Sequence, residues 1–285
     1  MKRRFYGVIA ALLLVFGGSL QFSLAEGSEG YLTPILAPSA LPPAFNAALN
    51  ARTTLPVMSP DLALKVYAEG ARQQVVQLGA YSDETVIEAD LPDAAKHGRF
   101  ELRRTYAAPR TLAYKAERFV GDGFVKNNVI TRLLQSEVEH VQKGDGAQTA
   151  INVQNYKFAF KKADLIGDDI VYVYEVRPTQ RRVGLFRGTV SVDARTGHLR
   201  RVEGQLVKSP SWWVKKIDFV QDYQDFGAFS LPTRLHSVSN TRIVGRAVVD
   251  ILHADYQAHS VAELRQHQPN DAETATYIAA PLDEF

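Results

Sequence analysis

The sequence predicts an α+β fold: a curved antiparallel sheet of about ten strands, bent into a half-barrel, with two amphipathic helices on its concave side. Three observations predict it. From Tyr156 to Tyr256 the chain runs in long apolar-alternating stretches separated only by Gly, Asp or Pro turns, the pattern of consecutive hairpins. Three shorter stretches of the same kind precede this meander, and two segments of helical periodicity accompany them. A sheet of this size curls, because twist accumulates from strand to strand. A half-barrel then offers the helices an apolar concave face, whereas a closed barrel would hide them poorly and a sandwich would not need them.

The chain opens with Lys2, Arg3 and Arg4, followed by an apolar run from Val8 that ends in Ser23-Leu24-Ala25. A basic start, an apolar core and small residues at the end mark residues 1–25 as a secretory signal peptide. An uncleaved anchor is the rival reading, since the run is nearly long enough to span a membrane. Gly17, Gly18, Ser19, Gln21 and Ser23 dilute its second half and favour cleavage. Export to the periplasm is therefore expected. The chain has no cysteine, which excludes disulfides, thiolate metal sites, a thiol nucleophile and lipidation at an amino-terminal cysteine. The signal holds three of the 33 basic residues and none of the 31 acidic ones, leaving 30 against 31, a net of −1. The basic character of the whole chain is thus no nucleic-acid footprint.

Residues 26–59, with Pro34, Pro38, Pro42, Pro43 and Pro56 and no sustained periodicity, read as an extended or disordered lead-in. Ser59-Pro60-Asp61 is a helix start: a capping Ser, Pro in the first turn, and an acid near the positive end of the helix dipole. The helix carries Leu62, Leu64, Val66, Tyr67, Ala71, Val75, Val76 and Leu78 in a broad apolar stripe and stops near Gly79. Strands follow at Thr85–Leu91, Arg99–Tyr106 and Thr111–Phe119, then a second helix from Phe124 to about Val141. The meander strands are Tyr156–Leu165, Asp169–Arg177, Leu185–Asp193, His198–Val207, Trp212–Tyr223, Leu231–Asn240 and Arg246–Tyr256. The half-barrel domain spans 60–258, and 259–285 is a polar tail.

Catalytic signatures are thin. There is no Gly-x-Ser-x-Gly elbow, phosphate-binding glycine loop or His-Glu-x-x-His pair. Glu137 and His140 are spaced as half of a carboxylate-bridged metal site, but no second pair exists, and a solvated helix face is the ordinary explanation. His253 and Asp255 alternate on the last strand; His198 and His236 would join them only if three strands met. Neither an enzymatic role, a metal nor a cofactor is expected. Arg177, Arg181, Arg182 and Arg187 cluster around one turn, with Lys215 and Lys216 as candidate neighbours. Such a patch suits anionic lipid head groups or a partner protein, although a solvated hairpin is the more ordinary explanation. Trp212 and Trp213 suit transient membrane contact or closure of the barrel end.

Several segments carry a resemblance: Phe119-Val120-Gly121-Asp122-Gly123 with Val125-Lys126-Asn127, Asn155-Tyr156-Lys157-Phe158 and Val183-Gly184-Leu185-Phe186-Arg187-Gly188. Val192-Asp193, Arg201-Val202-Glu203-Gly204, Lys208-Ser209-Pro210-Ser211 and Ser237-Val238-Ser239-Asn240-Thr241-Arg242 continue it. Over roughly Pro60 to Tyr256 these are similar to a group of acidobacterial exported proteins described as outer-membrane lipoprotein-sorting proteins. The element order also resembles the periplasmic lipoprotein carriers LolA and LolB and the RseB/MucB stress sensor, in architecture rather than in alignable motifs. The resemblance implies a non-enzymatic carrier or sensor whose partner is a lipid or acylated lipoprotein, each buried methylene releasing about 0.8 kcal/mol. Candidate ligand-facing residues on the concave face are Tyr172, Tyr174, Phe186, Trp213, Ile217, Phe219 and Tyr223. The plain alternative is that they fill a dry core. A scaffolding partner of an envelope complex is the second functional expectation.

Overall fold

The computed structural model describes residues 55–209, 214–242 and 244–266; the expected signal peptide, most of the lead-in and Trp212 and Trp213 lie outside these residues. Helix α1 (Pro60–Gln77) leads directly into β1 (Leu78–Leu91), followed by β2 (Lys96–Ala107) and β3 (Thr111–Gly121). One α-helical turn at Gly123–Val125 and a π-helical turn at Lys126–Ile130 then lead into α2 (Thr131–Lys143). The meander is β4 (Tyr156–Ile166), β5 (Asp169–Pro178), β6 (Phe186–Asp193), β7 (Leu199–Leu206), β8 (Val214–Phe226), β9 (Phe229–Thr241) and β10 (Arg246–Ser260). A short helix α3 (Val261–Gln266) ends the described chain.

All ten strands form one antiparallel sheet in the order β3-β2-β1-β10-β9-β8-β7-β6-β5-β4. The last strand pairs with the first, so the edges are β3 and β4, consecutive in the chain. The segment between them must travel from one edge to the other, which lays α2 across the concave face. Cross-strand register shows what that face is made of. One row runs Phe119, Phe100, Ile87, Ile251, Leu235, Gln221, Val202, Val190, Tyr174, Phe160, one residue from each strand. Nine are apolar, because a side-chain period of two keeps each strand's apolar set on one side. Leu133 and Leu134 of α2, with Val125, Val129 and Ile130 before it, pack into the same core.

The sheet is open, with helices on its concave side, as the sequence predicts. Three details differ. β1 starts at Leu78, seven residues before the expected Thr85, because Tyr81 and Asp83 are buried in a segment whose Ser82-Asp83-Glu84 reads as polar. β10 continues to Ser260, and α3 occupies the start of the expected tail, with Leu264 seated over Gly79. The α1 stripe packs through Ala63, Leu64, Tyr67 and Ala71, while Leu62 and Val76 face outward.

Helix α1 is held at its start by several bonds. Ser59 Oγ accepts from Leu62 N at 3.3 Å, and the phenols of Tyr172 and Tyr174 donate to Met58 O and Pro60 O, both at 2.6 Å. Replacing Ser59 by Ala removes only the cap, so urea unfolding is expected to show a loss of about 1 kcal/mol. A loss several times larger would mean that the two tyrosine bonds fail with it.

Candidate functional site

Two features distinguish the concave side. The first is a mainly apolar cavity of about 210 Å³ between α1, the 150–154 loop, the β6–β7 turn and the ends of β8 and β9. Small residues of α1, Ala68, Gly70 and Ala71, make the space; Ile151, Leu199 and Tyr223 wall it, and Arg72, Asn152, Gln154 and His198 supply polarity. Its frame is tied by hydrogen bonds. Tyr67 donates its phenol to Ile151 O at 2.8 Å. Gln74 donates to Ser230 O at 3.1 Å and accepts from Ser230 N at 2.8 Å. The β6–β7 turn is fixed by Asp193, whose carboxylate accepts from Arg195 N and Thr196 N. Buried Arg200 donates both terminal nitrogens to Asp225 at 2.8 and 2.6 Å, and His198 Nδ1 lies 2.9 Å from the same carboxylate.

The second feature is a buried ionic network beneath α2. Arg104 of β2 donates Nε to Asp83 at 2.7 Å, Nη1 to Glu137 of α2 at 3.4 Å, and Nη2 to the Tyr256 hydroxyl at 2.6 Å. Tyr114 donates to the other Glu137 oxygen. Thr85 donates to Asp83 at 2.6 Å, and His253 Nδ1 lies 3.1 Å from that carboxylate. The guanidinium also lies 5.0 Å over the Tyr81 ring, a cation–π contact. A small void of about 20 Å³ adjoins Arg104, Glu137, His253 and Gln221. That is room for about one water molecule, beside the Gln221 Oε1 that has no hydrogen-bond partner among the described residues.

Burial pushes the Asp83 carboxyl upward, but Arg104, His253 and Thr85 outweigh it and hold the group at about 2, below its ordinary 3.8. Burial, with Arg104 adding to it, pulls His253 below its ordinary 6.5, and burial lowers His140 as well. The signs agree. A depressed acid stabilises the fold above its unfolded value and loses that contribution as pH falls through its folded one; a depressed histidine lets the unfolded chain bind the proton first. Stability is therefore expected to decline below about pH 6.5 and to fall further, by about 2 kcal/mol from Asp83, between about pH 4 and 2. Urea midpoints across that range check this, and a flat profile would contradict it.

Of the candidate ligand-facing residues, Tyr223 lines the cavity. Phe186 and Phe219 stack edge-on at 5.3 Å within the core, Ile217 is buried with them, and Tyr172 and Tyr174 hold the backbone before α1. Trp213 lies outside the described residues. The four arginines are placed differently from one another. Arg182 is partly buried and donates to Gln148 O and Asn155 Oδ1, fixing the 148–155 loop. Arg177, Arg181 and Arg187 are exposed, bonded to Glu175, Val207 O and Gln205 respectively. The histidines do not meet: His198 faces Asp225, His236 lies 2.9 Å from Asp250, and His253 enters the Asp83 network. Glu137 and His140 diverge toward Arg104 and Asp145, and Asp255 sits exposed at a positive φ of 54°. Among the described residues no three His, Asp or Glu side chains are grouped to hold a metal ion.

Sequence reasoning misses both features, the cavity because it is made by absent side chains and the network because its charges look solvent-facing. A mid-helix glycine at position 70 is the one signal of the former.

No protein-family model matches the chain, and no curated protein matches it. Among solved structures, the chain is similar to a LolA superfamily protein from Nitrosomonas europaea, with 13% identity, a TM-score of 0.33, and 68% of this chain covering 92% of that one. A putative outer membrane lipoprotein-sorting protein domain from Vibrio parahaemolyticus aligns with 12% identity and a TM-score of 0.37, over 70% of this chain and 93% of that one. A DUF1329 family protein from Desulfovibrio piger aligns with 10% identity and a TM-score of 0.36, over 69% and 92%.

Proposed function

We propose that the protein is an exported, non-enzymatic carrier or sensor of acyl chains that works in the periplasm. The observation that carries this reading is the apolar cavity held open between α1 and the sheet. An ordinary core closes such space, because interiors pack to the density of organic crystals. Here hydrogen bonds tie Tyr67 to the 150–154 loop and Gln74 to β9, fixing the helix in place, while alanines and a glycine leave the gap. Burying a chain there releases about 0.8 kcal/mol per methylene, and Tyr67 and Tyr223 are the aromatic residues placed to touch it. The secretory signal read in residues 1–25 puts this chemistry where envelope lipids are handled.

The test is direct. Protein purified from its native envelope is extracted with organic solvent and the extract examined for acyl chains. Co-purified chains, or saturable uptake of a fluorescent fatty acid, are expected; protein that is empty and takes up none overturns the reading.

A scaffolding role in an envelope complex is the second reading, and one observation favours it. Edge strand β4 presents an unpaired side with Phe160 half exposed, the kind of edge on which a partner adds a strand. Cross-linking through residues placed on β4 that recovers no envelope protein would count against it.

A further inference from the structure

We infer that the cavity takes a single medium-length alkyl chain carrying an anionic head, rather than the several chains of a membrane lipid or an acylated lipoprotein. This rests on the acyl-chain reading and narrows it to a ligand class.

Volume sets the chain. An apolar protein cavity of 150 Å³ holds one benzene; at the same packing, about 210 Å³ holds roughly eight or nine carbons. Deeper entry is blocked. Tyr67 and Tyr223 stand in the wall, both buried, and the rings of Tyr156 and Phe219 pack tilted and edge-on against Phe186 at 5.1 and 5.3 Å. A chain of sixteen carbons would have to leave its second half in water or break that packing.

Gly70 shows that the space is left free within α1 itself. Glycine in a helix interior is unfavourable, and some contact usually explains it. At Gly70 a Cβ would meet nothing within 4 Å. No protein neighbour requires the glycine, and the room it leaves belongs to the cavity it lines.

Charge sets the head. Among the described residues no carboxylate lines the cavity, and the ionisable wall residues, apart from the tyrosine phenols, are Arg72 and His198. His198 already faces Asp225, and Arg72 stands largely exposed, paired among the described residues with Glu69 one turn away on its own helix. Such an exposed pair exchanges readily, so an incoming carboxylate or phosphate can take the guanidinium in the bidentate manner. A cationic head would meet no carboxylate among those described wall residues.

The experiment is calorimetric titration of the exported chain with octanoate, decanoate, palmitate, octyl phosphate, octanol and octyltrimethylammonium. Octanoate, decanoate or octyl phosphate is expected to bind about tenfold more tightly than either non-anionic octyl compound, the loss of one charge-assisted bond, and more tightly than palmitate, whose second half finds no room in the cavity. Whether carboxylate or phosphate binds better identifies the head. Arg72→Gln should weaken the anionic ligands about tenfold and leave octanol unchanged. Gly70→Leu should abolish binding while raising Tm by about 2–4 °C, so a lost signal there is not lost folding. Palmitate binding as tightly as decanoate overturns the length assignment with the carrier reading intact, and equal binding of octanol overturns the head. Full binding by Gly70→Leu moves the site elsewhere and overturns the inference. No binding by any compound, together with empty native protein, overturns the acyl-chain reading itself.

Discussion

Arg104→Met is expected to cost about 3–5 kcal/mol at neutral pH, because it breaks a buried ionic network from one side. The Arg104 side chain is 4% exposed and the Asp83 side chain fully buried. Methionine fills most of the space but gives Asp83 and Glu137 no counter-charge, and leaves the Tyr256 hydroxyl one partner short. The loss has a pH signature that a simple packing defect lacks. In the parent chain Arg104 helps hold the Asp83 carboxyl at about 2. Without that cation, burial dominates and raises the folded value above the unfolded one, a contribution present at low pH and lost as pH rises. The gap between parent and variant should therefore narrow on acidification from pH 7 towards pH 4. Urea unfolding at both values decides it. A loss below about 1 kcal/mol, or a gap that does not move with pH, would show that the network is not the anchor its geometry describes. Glu137 belongs to α2, so the same variant should also loosen that helix over the concave face, visible as faster amide exchange in residues 131–143.

The network also explains what could and could not be read from the sequence. Strands β4 to β10 were legible because their side chains alternate against one apolar face, and their turns carry Gly, Asp or Pro. The start of β1 was not, since Asp83 looks like a surface acid until Arg104, twenty-one positions later, is known to sit beside it. Register could not be foreseen either. Pairing of β1 with β10 joins residues some 170 positions apart, and nothing local in either strand names the other. The aromatic set shows the same limit from another side. Tyr172 and Tyr174 alternate onto the concave face as the pattern requires, but their hydroxyls act on backbone 114 positions earlier. A ligand-facing role and a structural one give the same alternation. Helix α2 is legible from Leu133 and Val138, in line with Val129 of the turn before it, yet its single buried acid, Glu137, reads in that pattern as part of the wet face.

Phe186→Ala is expected to cost about 3–5 kcal/mol and to leave chain binding unchanged, which separates the aromatic core from the cavity. Phe186 is fully buried, tilted on Tyr156 at 5.1 Å and edge-on to Phe219 at 5.3 Å. Its ring sits over Gly204, where an added Cβ would come 2.8 Å from Cδ2, and Gly204 faces Gly188 across the β6–β7 ladder. Gly204 removes a side chain that would meet the ring, and Gly188 one that would meet the backbone of Glu203 and Gly204, so the strands close around it. A seat this tight collapses poorly when the ring is deleted, which puts the cost at the upper end for a core truncation. The cavity does not depend on that ring, since Tyr223 and Leu199 form its sheet-side wall. Decanoate affinity should then match the parent within about twofold at a temperature where the variant is still folded, a difference of roughly 0.4 kcal/mol. If Phe186→Ala instead loses binding while keeping its urea midpoint, the acyl chain reaches past Tyr223 into the aromatic face, and the concave side is a longer site whose closed form the packed rings occupy.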